Sequence, residues 1–277
     1  MLKNLRAEYN SMSEYQMRFG GIARLYGVAG AALLGKAHFC VIGIGGVGSW
    51  AAESLARTGI GAITLIDLDD ICTTNINRQI HALSQTIGES KVEVMAERIK
   101  QINPDCHVNV IEDFVTLDNI RELLVKDFDY VIDAIDSVKV KTAIIAHCKR
   151  NKLPIITIGG AGGQTDPSKI QICDLSQTYQ DPLLAKVKNQ LRREFNFPKA
   201  DAKTSNKRKF SIDAVFSTEQ LVYPDDEGNV CHAKKTQEGA VRLDCSSGFG
   251  AVTHVTATFA FFATSRAIKK YLAKNKR

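Results

Sequence analysis

The sequence predicts an α/β protein with a mainly parallel sheet, helices on both faces, and a smaller C-terminal α+β extension. Three observations carry this. Short apolar runs alternate with helix-length segments between residues 41 and 158, the pattern of a sheet built from strand–helix–strand units. The first run leads into Gly43-Ile-Gly45-Gly46-Val-Gly48, a glycine turn opening a helix. The second run ends on a carboxylate, Asp67. Glycines there let the backbone approach a phosphate at a helix N-terminus, and a carboxylate at that distance suits a ribose hydroxyl, so the fold class is Rossmann-like.

The elements follow in order. Residues 41–43 end the first strand and residues 47–57 form the next helix. Residues 62–67 make strand two. Residues 89–102 are amphipathic, with Val92, Met95, Ala96 and Ile99 on one face, the 3.6-residue period of a half-buried helix. That helix stops before Asn103-Pro104, because proline disfavours helical backbone in the residue ahead of it. Residues 107–111 form strand three, 130–134 strand four, 138–151 a helix, and 154–158 strand five, which runs into five residues, 159–163, that are all glycine or alanine. After residue 169 the pattern changes. Residues 169–174, 214–217 and 220–223 look like short strands, and the polar stretch 196–209 like a mobile loop. The chain therefore divides into a nucleotide-binding part, residues 1–175, and an extension, residues 176–277.

Composition bounds the function. With 277 residues, 44% hydrophobic and 24% charged, the chain can bury a sizeable core. A net charge of +6 is compatible with an anionic partner without demanding one. The first fifteen residues are polar, not an apolar leader, and the seven cysteines have no regular spacing. A reducing cytoplasm is the expected compartment. Residues 246–265 carry no Asp, Glu, Lys or Arg, long enough to cross a bilayer. Their threonines, glycines and His254 suit a buried helix of the core or of a dimer interface better than a lipid-facing span. Membrane association through this segment is the alternative.

The glycine turn and Asp67 alone would suit NAD. Asn75-Ile-Asn77-Arg78-Gln79 changes the reading, since a charged arginine in a polar cluster suits a triphosphate better than a nicotinamide. A nucleotide site needs glycines for phosphate approach, cations for phosphate charge and a carboxylate for Mg²⁺. The chain supplies Gly43, Gly45, Gly46 and Gly48, then Asp67 and Asp69, then Arg78 and, thirteen residues on, Lys91. Asp133 and Asp136 fall where strand four meets its helix, and Asp136 could equally cap that helix. No G-x-x-x-x-G-K-[ST] occurs, which excludes a P-loop enzyme.

GIGGVGS, LIDLDD, NINRQ, GESKVE and DAIDS, in this order, resemble the ubiquitin-activating-enzyme-like superfamily of HesA, MoeB and ThiF proteins. The resemblance covers residues 18–175. It implies a homodimeric, Mg-ATP-dependent enzyme that attaches AMP to a carboxylate. By position it implies ribose binding by Asp67, phosphate contacts from Asn75, Arg78 and Lys91 with Gln79 beside them, and Mg²⁺ coordination by Asp136. It also implies an arginine from the other subunit's N-terminal segment, for which Arg18 and Arg24 are the candidates. RFGGIARLYG, NRQIHAL, GGAGGQTDP, QDPLLAKV, VFSTEQLVYP and DCSSGFG resemble a narrower group, the tRNA threonylcarbamoyladenosine dehydratases, over nearly the whole chain. These cyclise N6-threonylcarbamoyladenosine at position 37 of tRNA, so the resemblance implies that modified tRNA as partner.

The chain departs from the sulfur-carrier activators of the superfamily, which often carry paired C-x-x-C motifs. It has none, so structural zinc is not expected. Cys245 falls in the region of the family's catalytic-cysteine loop. It is either a catalytic or sulfur-accepting thiol, which would imply a cysteine-desulfurase or sulfur-acceptor partner, or a small residue beside a glycine turn. Cys231 is a weaker candidate, and Cys40 belongs to the buried first strand. Two basic clusters suit RNA phosphates: Lys186, Lys188, Arg192 and Arg193, then Lys199, Lys203, Lys207, Arg208 and Lys209. Solvated charge is the alternative for both. Phe195, Phe197 and Phe210 flank the second cluster and suit base stacking or core packing equally. A different function within the superfamily is adenylation of the C-terminus of a small ubiquitin-like sulfur carrier.

Overall fold

The computed structural model describes residues 13–125, 127–199, 208–225, 228–232 and 249–276. Helix α1 (Glu14–Tyr26) starts with a reciprocal capping box, in which the Ser13 hydroxyl accepts from Gln16 N and the Gln16 side chain accepts from Ser13 N. Helix α2 (Val28–Leu34) follows. The alternating region then runs β1 (His38–Ile42), α3 (Gly48–Arg57), β2 (Ala62–Ile66), α4 (Lys91–Ile102), β3 (His107–Ile111), α5 (Ile120–Leu123), β4 (Tyr130–Asp133), α6 (Val138–Asn151) and β5 (Ile155–Ile158). Beyond it lie β6 (Ile170–Asp174), α7 (Pro182–Glu194), β7 (Asp213–Ser217), β8 (Tyr223–Pro224), β9 (Val230–Cys231) and α8 (Thr253–Asn275).

Seven of the described strands form one sheet in the order β3-β2-β1-β4-β5-β7-β6. All neighbours are parallel except β6, which runs antiparallel to β7. The order reverses between β1 and β4. Chain segments leaving those two strands diverge, and the crevice between them is where an open α/β sheet binds ligand.

Strand periodicity sorts the core into two layers. Phe39 and Val41 of β1 pack with α3, α4 and α8, through Ala52, Leu55, Met95, Phe259 and Ala263 among others. Cys40 and Ile42 face the other way, into α6 and α7, with Ile144, Cys148, Leu184 and Val187. A central strand buried on both faces reads as a continuous apolar run, which is why HFCVI is legible in sequence.

The C-terminal third differs from the sequence reading in three ways. First, β7 hydrogen-bonds between β5 and β6, so residues on both sides of position 175 build one sheet and one core. Second, residues 220–222 are not a strand. Val222 N donates to Gly163 O and Gly163 N to Gly250 O, at 2.9 and 2.8 Å, tying this segment to the glycine-rich turn after β5 instead of to a ladder. Only Tyr223–Pro224 pairs, with Val230–Cys231, in a separate ribbon. Third, the helix within the apolar stretch 246–265 begins at Thr253 and runs on to Asn275. Its Val255, Phe259, Ala260, Ala263 and Ala267 are buried against the sheet and α3, and Ser54 Oγ meets Thr264 Oγ1 at 3.1 Å. Its outer side includes Arg266 and Lys270, which hold the Asp213 carboxylate at 2.9 and 2.6 Å. No described helix is long and apolar enough to cross a membrane. Residues 200–207 of the predicted mobile loop lie outside the described residues.

Candidate active site

The glycine turn sits at the β1 end of the crevice. Gly43 has φ +85, and a Cβ on it would meet Ile135 Cγ2 at 2.9 Å. A Cβ on Gly48 would lie 1.7 Å from Gly43 O. The turn therefore closes only with glycine at both positions. Across it, Asp67 is 8% exposed, and its Oδ2 accepts from Ile44 N at 2.6 Å while Oδ1 accepts from Asp69 N at 2.9 Å. The carboxylate thus locks the turn to the end of β2. Each oxygen keeps a lone pair for a ligand hydroxyl.

The polar cluster folds over the glycines. Arg78 lies along Gly46, where a Cβ would meet its Cγ at 3.1 Å, and Gln79 Nε2 is the nearest atom to Gly45, at 3.9 Å from such a Cβ. Arg78 Nη1 donates to Thr74 O and Asn77 Oδ1 at 2.8 and 3.1 Å, leaving Nε and Nη2 without a hydrogen bond among the described residues. Trp50 Nε1 holds Arg78 O at 3.0 Å. Asn75 is buried and accepts from Cys72 N at 3.0 Å, while its own carbonyl accepts from Arg78 N and Gln79 N. The same cluster is tied to α8: Asn77 Nδ2 donates to Ala251 O at 2.8 Å and Thr253 Oγ1 to Asn77 O.

Lys91 opens α4 and is nearly buried. Its ammonium pairs with Asp69 Oδ2 at 2.7 Å, and Asp69 is about half exposed. A phosphate arriving at Lys91 can replace Asp69 as its counter-ion, because the half-exposed carboxylate regains water when it is displaced. Next to it His81 is 1% exposed, and neither ring nitrogen has a partner among the described residues. Burial, with Lys91 and Arg98 beside it, lowers its pKa to about 4. The imidazole is therefore neutral, and Lys91 and Arg78 remain the cations of the site.

The opposite wall is the β4–α6 junction. Asp133 and Lys141 are both fully buried and paired at 2.8 Å, and Thr157 Oγ1 donates to Asp133 Oδ2 at 2.7 Å. Removing either partner would strand a buried charge. This pair fixes the segment that carries Asp136, which is exposed and has no hydrogen-bond or ion-pair partner among the described residues. The N-cap position of α6 belongs to Ser137, and no side chain caps it, so Asp136 does not act as a cap. Among the described residues no group of three or more His, Cys, Asp or Glu side chains could hold a metal ion. A metal ion at Asp136 would take its remaining ligands from phosphate and water. One exposed carboxylate at a strand end fits a Mg²⁺ that would be held mainly by phosphate and water.

The structure thus gathers Gly43, Gly45, Gly46, Gly48, Asp67, Asp69, Asn75, Arg78, Gln79 and Lys91 at one crevice, with Asp136 on its far wall. Arg18 and Arg24 are elsewhere. Helix α1 docks where the strands begin, with Tyr15 Oη donating to Gly59 O at 2.8 Å. Arg18 donates to Gln101 O and Ile102 O at 3.1 and 3.2 Å, at the C-terminus of α4, where a cation is favoured. Arg24 is exposed and makes no hydrogen bond or ion pair among the described residues. Cys245 lies outside the described residues, as do Lys203 and Lys207. Phe197 and Phe210 are buried against each other, and Arg150 sits over Phe195. The sequence reading missed His81, although it lies in NRQIHAL, and missed the Asp133–Lys141 pair, whose signal is a lysine eight residues after a strand-end aspartate.

A glycine turn at a switch point, a strand-end carboxylate clamping it, and two cations opposite an exposed aspartate define a nucleotide-activating site. The family model for ThiF proteins matches residues 20–277, and this chain belongs to the ThiF family. Within it the chain is similar to the tRNA threonylcarbamoyladenosine dehydratase of Escherichia coli strain K12, 59% identical over 260 residues that cover 94% of this chain and 95% of the relative. It is also similar to solved structures of E. coli TcdA in complex with ATP and with AMP, each 54% identical, with a TM-score of 0.83, covering 96% of this chain and 98% of that one.

Proposed function

We propose that this chain is an ATP-dependent tRNA threonylcarbamoyladenosine dehydratase that activates the threonyl carboxylate by adenylation. The observation that carries the substrate is the similarity along 94% of the chain, which reaches beyond the nucleotide crevice into α7 and α8. A sulfur-carrier adenylyltransferase reading has no comparable support.

Hydroxide is a poor leaving group, so the carboxylate must first be activated. A carboxylate oxygen attacks the α-phosphorus of ATP, and the bond to the β-phosphate breaks with loss of pyrophosphate. An internal N–H or O–H group of the modification then attacks the acyl carbon. AMP leaves with the former carboxylate oxygen, and the nucleophile's proton passes to solvent. Arg78 and Lys91 offset the charge that builds on the phosphates. Asp67 orients the ribose, the glycine turn admits the phosphates, Asn75 and Gln79 flank them, and Asp69 yields Lys91 to them. When bound at Asp136, Mg²⁺ supplies further charge neutralisation. Ring closure is intramolecular, for which effective molarities on the order of 10⁵ M or more are available.

In this reading the nucleotide is handled by residues of the 1–175 part, and the RNA contacts come from the exposed basic residues of the 176–277 part, whose β7 and α8 belong to the shared core. The enzyme works in the cytoplasm as a homodimer. Of the two candidates for the arginine that reaches the partner's phosphates, Arg18 is engaged at the end of α4, whereas Arg24 is exposed and uncommitted among the described residues. Cys245 is the candidate thiol should a sulfur-transferring partner dock. Wild-type protein should release pyrophosphate and AMP in equal amounts only when given modified tRNA, and Asp136→Ala should abolish this while the fold survives. Release without tRNA, or normal release by the variant, would reject the scheme.

A further inference from the structure

A second cleft, of ≈ 420 Å³, opens between the start of α7 and the segment that follows β7. Tyr179, Gln180, Lys188, Gln220, Tyr223 and His232 line it. Its volume falls within the range of small-ligand sites. It is separate from the glycine crevice. Asp181, also in its wall, accepts from Gly160 N at 3.0 Å and from Leu184 N at 2.8 Å. The cleft is thereby joined to the turn after β5, the strand next to the one that leads to Asp136.

Two features of the lining point to a planar ligand. Tyr179 is 53% exposed, yet its ring is braced edge-on by Phe216, with centroids 5.4 Å apart and planes at 68°. Tyr223 is likewise braced by Phe249 at 5.0 Å. The backbone between Tyr179 and Asp181 is strained: Gln180, not a glycine, sits at φ 55, a conformation that persists only where its neighbours enforce it. The bonds from Asp181 to Gly160 and Leu184 enforce it here. The outcome is an exposed aromatic ring supported on one side by Phe216, with amide side chains, Gln180 and Gln220, in the same lining. Proteins hold an unpaired base in this way, by stacking plus hydrogen bonds to its edge.

We propose that this cleft takes the purine ring of the modified nucleoside, stacked on Tyr179, while the threonyl arm reaches across β5 to the nucleotide. The inference rests on the dehydratase reading. The reacting carboxylate must sit near Asp136 and the glycine turn. A short chain of bonds joins it to the purine, and the cleft lies two strand spacings from β4, which leads to Asp136, and three from β1, which leads to the glycine turn, about 10 and 14 Å. Enzymes acting on a base draw it out of its stack into a fitted pocket. Helix α7 starts at the cleft and carries exposed Lys186 and Arg193 away from it, a track for the flanking phosphates.

The test compares wild type, Tyr179→Ala and Tyr179→Phe on tRNA carrying threonylcarbamoyladenosine, with ATP affinity measured by calorimetry. Stacking on one ring predicts that Tyr179→Ala raises the KM for tRNA by roughly 5- to 100-fold. Tyr179→Phe, which keeps the ring, should stay near wild type, and all three should bind ATP equally. An unchanged KM in Tyr179→Ala, equal losses in both variants, or a parallel loss of ATP affinity would overturn the purine site. A wild type that binds ATP but leaves the tRNA unaltered would instead reject the dehydratase reading itself.

Discussion

His81 makes the site's electrostatics measurable as stability. Its imidazole is buried beside Lys91 and Arg98 without a hydrogen-bond partner among the described residues. Its pKa falls from the ordinary 6.5 to about 4. The unfolded chain therefore takes up a proton at higher pH than the folded chain does. Stability from the neutral ring is fully present above pH 6.5 and is lost as pH falls toward the folded value. Each pH unit in that window costs up to about 1.4 kcal/mol, so going from pH 7 to pH 5 removes about 2 kcal/mol, and full protonation about 3 kcal/mol. Urea unfolding at pH 7, 6 and 5 would read this for wild type and His81→Gln, which cannot titrate there. The variant should start less or equally stable and lose about 2 kcal/mol less than wild type over the window. Parallel pH profiles would refute the argument and leave His81 protonated or hydrated in the folded protein.

Other outcomes follow from the same geometry. Gly48→Ala must push a Cβ away from a backbone oxygen 1.7 Å off. It should destabilise the protein by about 1–3 kcal/mol and weaken ATP binding at least tenfold by calorimetry; normal binding would remove the glycine turn from the site. Arg78→Ala and Lys91→Ala should each lower kcat at saturating ATP by about 100-fold or more, the signature of an interaction made in the transition state. Lys91→Ala should cost little stability by thermal melting, since the Asp69 it leaves is about half exposed. Neutralising Lys207, Arg208 and Lys209 together should flatten the salt dependence of tRNA binding, by about 0.7–0.9 in log–log slope for each phosphate no longer neutralised, with ATP binding unchanged.

Much of the nucleotide crevice was legible in the sequence because it is built from local signals. Strands β1 to β5 announce themselves as apolar runs, β3 at its observed bounds, and α6 starts and ends where its pattern does. The glycines, Asp67, Arg78 and Lys91 meet because the sheet brings the ends of successive strands to one edge. What stayed hidden depends on pairings distant in sequence. Strand β7 finds its place between β5 and β6 only through tertiary pairing. Helix α8 has small and aromatic residues on several sides, so its core-facing stripe has a weak period. The positions of Arg18 against the end of α4 and of Asp181 against Gly160 rest on hydrogen bonds between residues 83 and 21 positions apart. Helices α1 and α2 are short of the apolar periodicity that marks α4. The purine cleft is invisible for the same reason: Tyr179, Gln220 and Tyr223 have no spacing that ties them together.

Mass spectrometry of nucleosides tests the central claim most directly. Modified tRNA would be incubated with the protein, ATP and Mg²⁺, then digested and compared with a sample lacking ATP. The threonylcarbamoyladenosine peak should shift by the loss of one water only in the complete reaction. An unaltered peak, with AMP transferred to a carrier protein in its place, would contradict the account and establish the adenylyltransferase instead.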